Sequence, residues 1–438
     1  MKRHPNDLRL EGLYLAQAGE DRDLLVHLVG CPRCRDRFAA LARDRPAPAA
    51  AGAEDEPAPV HGRLFPFALA LARERLDAPD LFLEIAWQTP ERQEALLREP
   101  RFHTWGLFEL LVERSLEAAT RDTVEAEGLG RLALHLSGHL DAAVYGPPLI
   151  EDLRARAWGH VGNARRVRSD LPGAGEAFAA ARAHLRLGTR EPLERAILLD
   201  LEASLSRDQR RFDDALRLLR RAVNLFEENG ESHRAGRSLV NLSTVHYFMG
   251  DIGQALEELR EALHHLEAEQ EPRLFLCARH NLAFYLTEAG QFAAAQAAYR
   301  DTRPLYRDFA EPWVQNRRKW VRGRILRGLG HPALAESLWL AARDGFLAEG
   351  ISYDTALVSL ELASLYAEQG RTAELERLAA EMVPVFAALQ IHREALAALA
   401  FLRQAIAAER AGVEVVAAIA DFVRRARHQP ELRFQAPQ

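Results

Sequence analysis

From Leu64 onward apolar residues return every three or four positions, alanine, leucine, glutamate and arginine dominate, and no stretch alternates with the period of two that a strand requires. The pattern predicts helix throughout. Within it a short signature recurs, a glycine, a turn and an alanine: Gly250 to Ala255, Gly290 to Ala295, Gly330 to Ala335 and, more loosely, Gly370 to Leu375. The glycines stand 40 residues apart. Two earlier units fit the same frame, one through Phe212, Ala215, Leu219 and Ala222, the other through Trp158, Gly162, Ala174, Phe178 and Ala181. A fixed period of this length marks a stacked repeat, because one helix pair cannot bury its apolar faces alone. Each glycine is expected to close the first helix of a pair in the left-handed conformation. Ala255, Ala295 and Ala335 let the second helix approach, while Leu242, Leu259 and Leu282 fill the seam.

Trp158-x3-Gly162 followed by Ala174-x3-Phe178-x2-Ala181 resembles the tetratricopeptide repeat. The resemblance covers residues 155–390 and, in degenerate form, 102–145 and 391–427. It implies an all-α architecture, a right-handed α-solenoid of helical hairpins whose concave face, lined by the first helix of each pair, binds peptides or proteins. A period of 40 implies long helices, similar to the repeats of signal-responsive bacterial regulators and kinesin light chains. The groove positions implied by the resemblance include Arg237, Asn241, Tyr247, His280, Asn281, Phe284, Arg317, Trp320 and Arg324, with Arg156, Arg166, Arg207 and Arg327. Seven of these are arginines, so a basic groove suited to an acidic peptide, an acidic protein segment or a free C-terminus is expected. Acidic residues on the same face, Asp200, Asp208, Glu288, Glu361 and Glu368, fall mostly toward the outer units. Asn241 and Asn281 occupy equivalent positions, where the resemblance implies bonding to the backbone of an extended ligand; an amide donates and accepts at once. The alternative for all these residues is a solvated helix face or hydrogen bonding between repeats.

Ahead of the repeats the pattern changes. Arg45 to Pro59 is rich in proline and alanine with no large apolar residue, as suits an extended tether. The expected organisation is a small helical domain over 1–45, a linker over 46–63, degenerate helical units over 64–150, repeats over 151–390, and capping helices with a tail over 391–438. The first segment holds His27-x3-Cys31-x2-Cys34, three donors of the kind zinc prefers. With residues 20–29 helical, His27 sits one turn before Cys31, Gly30 ends that helix and Pro32 opens the next. His4 is the expected fourth ligand, with Asp21 or Asp23 as alternatives. A redox dithiol normally opens a helix after a strand, and no strand signal is present. Two buried cysteines without a metal are the remaining alternative. The run from His4 through Leu13-Tyr14-Leu15 to His27 and Cys31-Pro32-Arg33-Cys34 resembles the zinc-binding anti-sigma domain, which implies a sigma factor as partner.

Composition adds bounds. With 438 residues, 48% of them hydrophobic and 27% charged, the chain reads as globular with two or more cores. No run approaches 18 apolar residues and the N-terminus lacks the apolar core of a signal peptide, so a cytoplasmic protein without a membrane partner is expected. Three cysteines leave no disulfide framework. A net charge of −6 argues against bulk nucleic-acid binding, and in the basic run from Arg317 to Arg327 only residues 317, 320, 324 and 327 share a face. His135 and His139 are spaced for a metal with no third ligand evident nearby, Cys277 reads as a small packing residue, and Gly128-Leu129-Gly130 lacks the strand a dinucleotide loop needs. No nucleophile, phosphate loop or metalloprotease motif emerges, so a non-enzymatic protein is expected. The sequence points to a soluble regulator whose zinc module clasps a sigma factor under control of the repeats, or alternatively to a scaffold that binds partners through the repeat groove with a purely structural zinc.

Overall fold

Helices in this chain begin where residues suit an unpaired amide. Asp122, Asp170 and Asp251 cap three of them, each accepting from an amide three residues on at 3.0 Å. Pro147, Pro192, Pro272, Pro312 and Pro332 open others, where a missing N–H costs nothing. The computed structural model describes residues 61–119, 121–388, 412–426 and 432–435, together with residues 10, 28, 34, 37, 38, 395, 398, 399, 402 and 406. All regular structure among the described residues is helical, and it divides into one compact unit ending at Ser238 and a second starting at Leu239.

In the first unit α1 (His61–Ala86), α2 (Pro90–Leu96), α3 (Trp105–Ala118), α4 (Thr123–Ser137) and the short α5 (Ala142–Tyr145) lead into two hairpins. These are α6 (Pro147–Val167) with α7 (Leu171–Leu187), and α8 (Pro192–Asp208) with α9 (Phe212–Glu228). Helix α1 packs on α3, α3 on α4 and α4 on α6, around a core that includes Phe102, Trp105, Phe108 and Leu111. The Glu74 carboxylate ties this end together, accepting from the Trp105 amide at 2.7 Å and the Tyr145 hydroxyl at 2.8 Å.

Helix α10 (Ser232–Met249) contains the division. The second unit continues with α11 (Ile252–His265), α12 (Pro272–Glu288), α13 (Phe292–Thr302), α14 (Pro312–Gly328), α15 (Pro332–Ala348), α16 (Ser352–Glu368), α17 (Thr372–Ala388) and α18 (Val413–Ala426). Hairpin partners α12 and α13, α14 and α15, and α16 and α17 pack together, and α18 returns onto α16, burying Val416, Ile419 and Val423 completely.

The small residues of the repeat frame do what their size suggests. Ala215, Ala255, Ala295 and Ala335 are all fully buried, each near the start of a second helix. Leu242 and Leu259 are buried in the seam, and Leu282 partly so. At the turns Gly250, Gly290, Gly330 and Gly370 have φ between 65 and 83°. Gly330 shows why: with φ +83° its amide reaches the Arg327 carbonyl at 3.0 Å and the next amide, His331, reaches Leu326 at 2.9 Å, satisfying two carbonyls at the helix end. A different constraint holds at Gly323, where a Cβ would stand 2.3 Å from Trp339 Nε1; the indole lies on bare helix backbone and donates to the Trp320 carbonyl at 3.1 Å. The frame also runs on without glycine, since Arg210, 40 residues before Gly250, takes φ 61° in the corresponding turn.

Helix α1 starts at His61, within the segment expected as linker. Most of that linker, the whole of the expected ligand set except Cys34, and much of 391–438 lie outside the described residues. Among the described residues no helix is long and apolar enough to cross a membrane.

Candidate binding recess in the second unit

The first helices of successive hairpins bring equivalent positions side by side. In the second unit the C-terminal half of α10, then α12, α14 and α16, line a recess of about 230 Å³ completed by Arg424 from α18. Five aromatic side chains, Tyr247, Phe248, Phe284, Tyr285 and Trp320, form much of its wall. Tyr247 stacks on Tyr285 with centroids 4.8 Å apart, meets Phe284 edge-on at 5.8 Å, and Phe284 meets Trp320 edge-on at 6.2 Å. Such edge and offset contacts are the favoured geometries for ring quadrupoles, so the rings hold one another in place.

Polar groups punctuate this surface. Among the described residues the Asn281 side-chain amide donates only to the Cys277 sulfur, at 3.9 Å, a weak contact that leaves most of its hydrogen-bonding capacity open. Cys277, expected as a packing residue, is instead exposed. His280 bonds through Nδ1 to the Tyr306 hydroxyl at 2.7 Å. Burial, followed by the nearby Arg317 charge, holds the His280 pKa down to about 3 against the pull of Asp354, so the imidazole is neutral. Arg317 pairs with Asp354 at 3.1 Å; the carboxylate is 1% exposed while the guanidinium keeps one side open.

The arginines of the face are not free charges. Arg324 donates to Glu288 at 2.5 Å and lies 3.3 Å from Glu361, with its guanidinium 4.8 Å over the Phe284 ring. Arg327 contacts Glu361 at 3.7 Å and bonds to Glu368. In the first unit Arg156 pairs with Glu194, while Arg166 and Arg207 both reach Asp208, at 2.6 and 2.9 Å. The expected basic groove is therefore a ladder of compensated pairs. Most link a residue on one first helix to a residue 36 to 42 positions further on or back, one repeat away. Asp208, Glu288, Glu361 and Glu368, expected on this face, are partners of these arginines, and Asp200 accepts from the Ser238 hydroxyl at 2.7 Å.

Of the positions expected in the groove, Tyr247, His280, Asn281, Phe284, Arg317 and Trp320 line the recess together. Arg324 lies beneath it through Phe284. Asn241 does not line it, and Arg237 belongs to the other unit. Thr244, Phe248, Tyr285, Val321, Asp354, Leu357 and Arg424 also line the recess and were not among the expected positions. Asp354 was legible in principle, as an acid one repeat after Arg317; Arg424 was not, because only the return of α18 places it there. Of the zinc ligands expected at the N-terminus, Cys34 is helical and buried, while His4, His27 and Cys31 lie outside the described residues.

Comparison with known proteins agrees with this architecture. A family model described as tetratricopeptide repeat matches residues 194–268. No curated protein matches the chain. Among solved structures, that of Rap protein complexed with competence and sporulation factor is 12% identical with a TM-score of 0.55, covering 73% of this chain and 87% of that one. Aspartyl phosphate phosphatase F from Bacillus subtilis is 11% identical with a TM-score of 0.51, covering 86% of this chain and 91% of that one. In fold, then, the chain is similar to helical-repeat proteins of the tetratricopeptide type.

Proposed function

We propose that the protein is a non-enzymatic adaptor that takes an extended peptide segment of a partner protein into the recess of its second unit. The observation that carries this is the Asn281 amide, left open among the rings of Tyr247, Phe284 and Trp320 and beside the Arg317–Asp354 pair. An amide so placed pairs with a ligand's peptide group, the rings bury an apolar side chain, and the half-open guanidinium donates to one carboxylate or carbonyl oxygen. Because Arg324 and Arg327 are internally neutralised, the ligand is mainly apolar with little charge, in place of the strongly acidic partner a count of arginines implies. In the same proposal residues 1–45 hold a structural zinc through His4, His27, Cys31 and Cys34, a donor set that suits zinc. The adaptor reading is preferred to a sigma-factor clasp because the built recess lies in the repeats.

A phage-displayed peptide library panned on the full chain tests it. Peptides enriched by the wild-type protein should be lost on Asn281→Ala and on Trp320→Ala protein of unchanged helicity. Equal enrichment on all three would remove the recess from consideration.

A further inference from the structure

Three histidines that play no part in the recess meet in the first unit. His135 lies in the last turn of α4, and His139 follows four residues later. The turn continues the helical path, with the Gly138 amide on the His135 carbonyl at 3.1 Å and the His139 amide on Leu136 at 2.9 Å, so the two rings share one side. Their Nε2 atoms stand 3.4 Å apart and the ring planes are inclined by 58°. That separation is long for an N–H···N hydrogen bond. It matches two imidazole nitrogens on one tetrahedral ion, which at about 2.0–2.1 Å from the metal lie roughly 3.3–3.4 Å from each other.

We propose that His135 and His139 form a binding site for a transition-metal dication of the zinc, nickel or copper class. His103 supports it. Its ring lies parallel to His139 with centroids 5.0 Å apart, and its Nε2 is held on the Leu97 carbonyl at 2.9 Å, which leaves Nδ1 as its remaining donor. Rotation of that ring is needed for Nδ1 to join the other two nitrogens; otherwise water fills the remaining positions. All three side chains are partly buried, so the site is both accessible and shielded.

Location and charge fix the class of ion. The site sits at the C-terminal end of α4, where the helix carbonyls favour a cation. Arg98 acts on His139 with charge of the same sign as a metal, so binding depends on imidazole coordination outweighing that repulsion. Hard ions such as magnesium and calcium seek oxygen ligands and find none in this trio.

The test is nickel titration of the full chain by calorimetry, comparing wild type with His135→Gln, His139→Gln, the double variant and His103→Gln. The double variant should bind one equivalent fewer, each of the first two single variants should bind at that site at least tenfold more weakly, and His103→Gln should have a smaller effect. Cobalt spectra separate this site from the N-terminal cysteines, because the equivalent lost in the double variant should carry no thiolate charge-transfer absorption. Helicity and melting without metal should be unchanged. Nickel stoichiometry and affinity equal in wild type and double variant would overturn the proposal, as would a lost equivalent bearing thiolate absorption.

Discussion

Replacing Arg324 by methionine isolates the energetic role of the ladder beneath the recess. Arg324, Glu288 and Glu361 are 14, 17 and 13% exposed in their side chains, so the substitution leaves two carboxylates facing each other in a poorly solvated place. Removing one partner of a buried pair costs about 3–5 kcal/mol, and the residual exposure puts this case near about 3 kcal/mol. Loss of the cation over Phe284 adds about 0.5–1 kcal/mol. The pH dependence is the sharper signature. In the wild type, burial tends to raise the Glu288 pKa, but the charges of Arg324 and Arg424 outweigh it and the pKa lies below the ordinary value. The pair therefore stabilises the fold above the unfolded carboxyl pKa of about 4.3, and that contribution is lost as pH falls through the lower folded value. In the variant burial is unopposed by Arg324, the folded protein holds protons that the unfolded chain releases, and stability falls as pH rises above about 4.3. The gap between the two proteins should thus be widest near pH 7 and shrink toward pH 4. Urea unfolding followed by peptide-resolved hydrogen exchange over residues 312–328 reads this unit alone. Adding Glu288→Gln and Glu361→Gln should recover most of the loss. A gap below about 1 kcal/mol, or one that does not change with pH, would refute the reasoning.

Other outcomes follow from the same contacts. His280 stays neutral down to about pH 3 in the fold, whereas the unfolded chain takes up a proton below about 6.5, so stability should decline as pH falls through that window. His280→Gln should flatten the slope, by about 1–2 kcal/mol between pH 7 and 5 in chemical denaturation. Gly323→Ala drives a methyl into the Trp339 indole and should cost about 1–3 kcal/mol, read as a lower melting temperature, whereas Gly128→Ala, with open space around it, should be tolerated. Metal analysis of Cys31→Ala protein should show one zinc fewer per chain than wild type, with the helicity of the repeats retained because the repeats do not depend on the metal.

How far the sequence could be read varied with the range of the interaction. The hairpins were legible because their signals are local: the turn at Gly330 needs one glycine, and Ala335 needs only to be small where the second helix begins. Tyr247, Asn281, Phe284 and Trp320 were legible as groove positions through the resemblance to the tetratricopeptide repeat, which implies which positions of the first helix line the groove. Charge was misread. Arg324 counts as a free cation on a helical wheel, yet its acids lie 36 residues before it and 37 after it, on neighbouring first helices. His135 and His139 carried a metal spacing from the start, but His103, 32 residues earlier than His135, enters only when the turn before α3 folds against the end of α4.

Helical hairpins with a 40-residue frame, the only regular structure among the described residues, follow from this chain's order of amino acids alone, since backbone propensity, apolar period and turn chemistry act within a few residues. Tertiary structure alone decided which of its charged and polar groups remain open to a ligand. Electrostatic and hydrogen-bond partners are chosen by distance in space, and stacking places residues a full repeat apart within 3 Å of one another, so Asn281 stays open while most of the arginines around it are paired.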